Sequence, residues 1–226
     1  MCSACPSNFG GMHCQLDTSG LDPFYIELDY VGTWTKAERN IVRAQADRWE
    51  QVITHVPCGG TSDYPAGRLL ISAAQKNIDG VGNTLGSAGP DYNWNQCPGV
   101  SLMGSMEFDI ADLGLLNQLD LEFLYLHEMG HVIGIGTNWE ECNTCHDDRD
   151  PEWTCPAAKK VYNDFLGISP PSTADIVELR FGGGTRCGHW SEDTFVDEVM
   201  TGLSQGGEPD PVEAKSGNPE RLGHSP

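Results

Sequence analysis

The segment His127-Glu128-Met129-Gly130-His131 sets two imidazoles four residues apart with a carboxylate beside the first. On a helix, positions i and i+4 lie one above the other on one face, so both rings can grip one Zn²⁺ while Glu128 reaches a water at that ion. Those residue types at that spacing point to hydrolysis: the metal acidifies water and polarises a carbonyl, and the carboxylate carries the proton. Five residues of pattern also arise by chance, so the surroundings decide.

Upstream, Leu119, Phe123, Leu124 and Leu126 form a helical apolar stripe that runs into the motif without a break. Asn117 and Asp120 are the candidate helix-start residues, neither predicting a full capping box. Downstream, Gly134 and Gly136 let the helix stop and turn. Because the flanking residues are nearly all apolar, the three polar side chains are expected to be partly buried, and burying them without partners is costly. A metal explains them better than a solvated helix face. A catalytic zinc, however, takes three protein ligands and keeps its fourth position for water. In the extended pattern H-E-x-x-H-x-x-G-x-x-H the third histidine follows the glycine turn, whereas this chain keeps Gly134 and has Thr137 in the histidine's place. The third ligand must come from elsewhere, and His13, His55, His146, His189 and His224 remain.

Two segments, Leu126 to Thr137 and Gly188-His189-Trp190 through Glu198-Val199-Met200-Thr201-Gly202, resemble the leishmanolysin family of metzincin metallopeptidases. Ile78 to Pro90 and Gly104 to Asp109 agree more weakly, and the similarity spans about Phe24 to Gly202. In that family an insertion separates the glycine turn from the third zinc histidine, and a methionine in a tight turn lies beneath the metal. The resemblance therefore implies His127, His131 and His189 as zinc ligands, Glu128 as general base and Met200 as the Met-turn methionine. It also implies an α/β (α+β) zincin fold: a twisted mixed sheet over long helices, an edge-strand cleft, and a zinc helix below it. From the residues alone, Met200 is an ordinary core methionine. His189 follows the Gly182-Gly183-Gly184 run and precedes an aromatic residue able to pack it in place, with His146 and His55 competing.

Composition narrows the setting. A chain of 226 residues can bury one good core. The net charge of −20 argues against nucleic acid and anionic membrane surfaces as partners, and no apolar run approaches the length of a membrane span. Nine cysteines point to an oxidising compartment, hence an extracellular or cell-surface location; the odd number leaves one free or paired outside the chain. Met1-Cys2-Ser3-Ala4 does not open a signal peptide, which suggests a truncated chain whose Cys2, Cys5 and Cys14 end an upstream module. Cys142-Asn143-Thr144-Cys145-His146 matches the c-type haem signature, yet the Asp147, Asp148, Arg149, Asp150 and Glu152 that follow read as a solvated loop pinned by disulfides. A structural zinc on Cys142, Cys145 and Cys155, completed by His146 or Cys187, is the other option.

The elements expected around the site begin with a strand over Phe24–Val31 and a helix from Thr35 to about Thr54. Thr35 and Glu38 form its capping box, and Ala37, Ile41, Ala44, Ala46, Trp49, Val52 and Ile53 its apolar face. Arg68–Ala74 reads as a second strand. Val100–Phe108 reads as a third, placed to serve as the edge that pairs with extended substrate. Pro156–Leu166 suggests a short helix within the insertion. The expected organisation is a cysteine-containing segment 1–23, a catalytic domain 24–202, and a polar tail 203–226 too poor in apolar residues to fold alone. The tail departs from the family, where more ordered structure follows the Met-turn. The functional expectation is a zinc endopeptidase acting on protein or peptide substrates. A catalytically silent relative serving in binding or adhesion is the alternative, disfavoured by retention of Glu128.

Overall fold

The computed structural model describes residues 9–10, 16–17, 22–56, 60, 64–95, 97, 99–139, 176–179, 185–195 and 198–202. The chain divides into two compact units, Met1–Ile133 and Gly134–Pro226. The expected Pro156–Leu166 helix, the Cys142-Cys145-His146 cluster with Cys155, Cys2, Cys5, Cys14 and the polar tail lie outside the described residues.

The first unit holds short strands β1 (Phe9–Gly10), β2 (Leu16–Asp17), β3 (Asp22–Pro23) and β5 (His55–Val56), and a four-stranded mixed sheet. That sheet has the order β4-β6-β8-β7, with β4 at Tyr25–Val31, β6 at Arg68–Lys76, β7 at Gly86–Asn93 and β8 at Ser101–Asp109. β4, β6 and β8 run parallel and β7 pairs antiparallel with β8. Parallel neighbours need a long connection, and helix α1 (Lys36–Val52) supplies it between β4 and β6. Its start is the expected capping box: Thr35 Oγ1 accepts from the Glu38 N–H at 3.2 Å, and the Glu38 carboxylate accepts from the Thr35 N–H at 2.6 Å. Arg43 donates to the Ile26 carbonyl at 2.6 Å and Glu50 accepts from the Ile26 N–H at 2.8 Å, tying the helix to β4.

The buried stripe of α1 is Val42, Gln45, Ala46 and Trp49, at i, i+3, i+4 and i+7. Ala37, Ala44 and Val52, expected on that stripe, are exposed, because the helix turns its Val42 side inward. In the sheet, Leu69, Ile71 and Ala73 of β6 and Met106 and Phe108 of β8 alternate into the core. Phe108 meets Tyr125 edge-on at 4.8 Å between ring centroids, and Trp34 lies 6.2 Å from each.

The expectation that Val100–Phe108 forms the edge is corrected: β8 lies inside the sheet and β7 is the edge. The Gly86-Ser87-Ala88-Gly89-Pro90 run has little intrinsic strand preference, so pairing with β8 makes it a strand. The Asp109 N–H donates to the Leu85 carbonyl at 3.0 Å. Antiparallel alternation then aims the peptide groups of Gly86 and Ala88, and the carbonyl of Pro90, away from β8. Pro90, which has no N–H, costs the ladder nothing there.

Helix α2 (Ile110–Leu113) leaves the end of β8 under an Asp109 cap, and α3 (Gln118–Ile133) follows. Asn117 caps α3, accepting from the Leu119 and Asp120 N–H groups at 2.8 and 3.1 Å, while the Asp120 carboxylate accepts from the Asn117 N–H at 3.3 Å. This reciprocal box corrects the expectation that neither residue completes one. Aspartate simply does the work usually given to glutamate. Every residue from Leu124 to Val132 is buried. The helix packs on α1, β7 and β8, and Trp49 Nε1 donates to the Leu126 carbonyl at 3.0 Å. Gly104 of β8 lets it approach: a Cβ there would stand 2.6 Å from Val132 Cγ1 and 2.4 Å from the Gly89 carbonyl oxygen.

The second unit begins with a turn at Gly134 (φ 124°) and Gly136 (φ 83°), where the Asn138 N–H donates to the Gly134 carbonyl at 2.9 Å. Trp139, Ile176, Val177 and Cys187 form its core, with the Trp190 ring tilted against Trp139 at 4.6 Å between centroids. Bridges Val177↔Trp190 and Trp190↔Thr201 draw its segments together, and α4 (Glu192–Phe195) follows Trp190. Cys97 of the first unit and Cys187 of the second are each disulfide-bonded. Among the described residues no helix is long and apolar enough to cross a membrane.

Gly104→Ala should cost about 1–3 kcal/mol, since backbone and a β-branched side chain oppose the added methyl. Chemical denaturation checks this, and an unchanged midpoint would contradict the close approach of α3 to β8.

Candidate metal centre

His127 and His131 sit near the end of α3, one turn apart, with Nε2 atoms 3.0 Å from each other and rings crossed at 83°. Two nitrogens bound to one tetrahedral zinc at ~2.0–2.1 Å lie ~3.3 Å apart, so this convergence suits a shared ion. His189 belongs to the Thr185–Trp190 turn, and its Nδ1 lies 3.0 Å from the Thr185 carbonyl oxygen. A carbonyl only accepts, so Nδ1 carries the proton and Nε2 keeps its lone pair. Ligand atoms of His127, His131 and His189 all fall within 4.8 Å of one another, and the three rings are buried, 9, 7 and 6 % exposed. This buried histidine triad can hold a metal ion. Burial pushes the His189 pKa down, against the pull of the Thr185 carbonyl and the Glu178 charge, which favours the neutral form a metal needs.

Glu128 is 5 % exposed, and burial pushes its carboxyl up to about 8. Its side chain rests on the first residue of the edge strand: a Cβ on Gly86 would stand 2.8 Å from Glu128 Oε1 and 3.1 Å from its Cγ. Sequence reasoning missed this cradle, although Gly86 lies in a stretch already noted for resemblance. A nearby divalent cation would favour the ionised carboxylate and offset the desolvation.

Met200 is fully buried, in a tight turn closed by the Thr201 N–H to the Glu198 carbonyl at 3.1 Å. The Trp190 N–H donates to the Met200 carbonyl at 3.0 Å, joining that turn to the residue after His189. Glu198 was not anticipated either. Its half-buried carboxylate, pushed up to about 7 by desolvation, accepts from the Met200 N–H at 2.7 Å and so holds the turn.

Of the competing histidines, His55 is in β5 with Nδ1 against Thr54 Oγ1 at 3.1 Å and does not join the triad. His13, His146 and His224 lie outside the described residues. Compared with known proteins, the chain matches no family model and no curated sequence.

The raised Glu128 pKa has a consequence for stability. A carboxyl that holds its proton in the folded state up to about 8, against 4.5 when free, contributes stability that is complete below 4.5. That contribution is lost as pH rises through the folded value. Metal-free Glu128→Gln protein should therefore melt several degrees above the metal-free wild type near pH 8, and at nearly the same temperature near pH 4. Parallel melting curves at both pH values would contradict the buried-carboxyl assignment.

Proposed function

We propose that this chain is a zinc-dependent endopeptidase of the leishmanolysin-like metzincin type. The observation that carries the reading is the buried His127–His131–His189 triad with Glu128 in the same helix turn. An all-nitrogen set of three suits zinc, and three protein ligands leave room for a fourth. When bound, zinc would supply a Lewis acid that polarises a scissile carbonyl and acidifies water.

The protein's own residues then divide the work. His127 and His131 bind through one helix face, and His189 is held in its ligating tautomer by the Thr185 carbonyl. Glu128 takes the proton of the attacking water on its carboxylate and delivers it to the leaving amine nitrogen. Amine departure needs that proton, which makes a single carboxylate serve twice. Met200 fills the Met-turn role, its turn hydrogen-bonded to the residue next to His189. The outward peptide groups of Gly86 and Ala88 suit pairing with an extended substrate backbone, so protein and peptide substrates fit the edge. The disulfides at Cys97 and Cys187 support an extracellular or surface location.

The test is metal analysis with a peptide-library digest. Wild type and Glu128→Gln should each carry one zinc, with turnover in the variant lower by about 10²–10⁴-fold. His189→Ala should lose most of its zinc. Zinc-loaded Glu128→Gln cleaving at the wild-type rate, or His189→Ala with full zinc and activity, would overturn the reading. Gly86→Ala should keep zinc and lose about 10- to 100-fold in kcat, because its methyl displaces the Glu128 carboxylate. Wild-type turnover in that variant would separate Gly86 from the reaction.

A further inference from the structure

We propose that Asp109 and Asp112 are positioning residues for Glu128: they peg the 78–84 loop that delivers Gly86 beneath its carboxylate. The inference rests on Glu128 being the base of the reaction proposed above.

The topology creates the need. β6 and β7 flank β8 on opposite sides, so the chain between them must cross over the C-terminal end of β8, where Asp109 lies. A crossing backbone leaves N–H groups without ladder partners, and those donors must find other acceptors. Asp109, fully buried, meets them: Oδ2 accepts from the N–H groups of Ile78, Asp79 and Gly80 at 3.3, 2.9 and 2.8 Å, while Oδ1 accepts from Ala111 at 2.9 Å. The N–H groups of Ala111, Asp79 and Gly80 together hold its carboxyl below the usual range, so it is ionised at neutral pH. Asp112 Oδ1 accepts from the Gly82 N–H at 2.8 Å. Gly80 and Gly82, at φ 90° and 87°, let the backbone wrap these carboxylates.

Asp109 also fixes the loop's exit, because its own N–H donates to the Leu85 carbonyl at 3.0 Å. One residue therefore holds both ends of the crossing. Gly86 is the next residue, and Glu128 stands against it. Sliding that backbone moves the surface that sets the carboxylate, and a misplacement of ~1 Å at a reacting group can cost ~100-fold in rate.

The experiment compares zinc-loaded wild type with Asp109→Asn, Asp112→Ala and Asp112→Asn in steady-state peptide cleavage, with a crystal structure of each. Asp109→Asn turns an amide donor toward backbone N–H groups and should lower kcat about 10- to 100-fold, with KM within about 2-fold and one zinc retained. Asp112→Ala should lose several-fold in kcat. Asp112→Asn keeps an acceptor for Gly82 and should restore it. In the Asp109→Asn and Asp112→Ala crystals the Glu128 carboxylate should be displaced from its wild-type place beside Gly86. Wild-type kcat in folded, zinc-loaded Asp109→Asn, or equal loss in both Asp112 variants, overturns the positioning role. Should wild type itself cleave nothing, the hydrolase reading fails, and the crystal structures still decide: an unmoved Glu128 carboxylate overturns the inference and a moved one supports it.

Discussion

The burial of α3 constrains everything around it. From Leu124 to Val132 the helix has no solvent face, yet that stretch includes two imidazoles and a carboxylate. Desolvating three such groups is expensive unless something meets them inside. A cation would do so at one stroke, turning two converging nitrogens into ligands and favouring the ionised Glu128. The surrounding contacts hold the helix where that is possible: Trp49 takes the Leu126 carbonyl, Gly104 admits Val132, and Gly86 admits Glu128.

A tension between stability and chemistry follows from the same burial. A carboxyl pushed up to about 8 weakens the folded state at neutral pH, and an apolar or amide side chain there would be easier to keep. Its placement against an edge strand of glycine and alanine, with outward peptide groups, makes sense if the group must move a proton beside an extended chain. The second unit shows a comparable arrangement on a smaller scale. Half-buried Glu198 holds the Met200 turn through a backbone N–H, and the Thr185 carbonyl fixes one nitrogen of His189.

Much of the scaffold was legible because local rules and tertiary demands agree there. The capping box at Thr35 and Glu38, the alternation of β6 and the apolar run into the His127 motif are readable in a single sequence. The triad was half legible: His127 and His131 follow from helix periodicity, whereas His189, far along the chain, was one of several candidates by its neighbours and was singled out through resemblance. β7 escaped because Gly86 to Pro90 reads as a loop by propensity and becomes a strand by pairing, which also moved the edge from the expected Val100–Phe108 strand to Gly86–Asn93. Asp109 escaped for a related reason. Its task is to satisfy a backbone that crosses the end of β8, and no local pattern announces a crossing.

Zinc K-edge X-ray absorption of the purified protein tests the histidine centre most directly, because it reads ligand type and distance together. Three imidazole nitrogens and one further light atom at ~2.0–2.1 Å are expected. Sulfur scattering at ~2.3 Å, marking a cysteine site, or the absence of bound zinc would contradict a centre built on His127, His131 and His189.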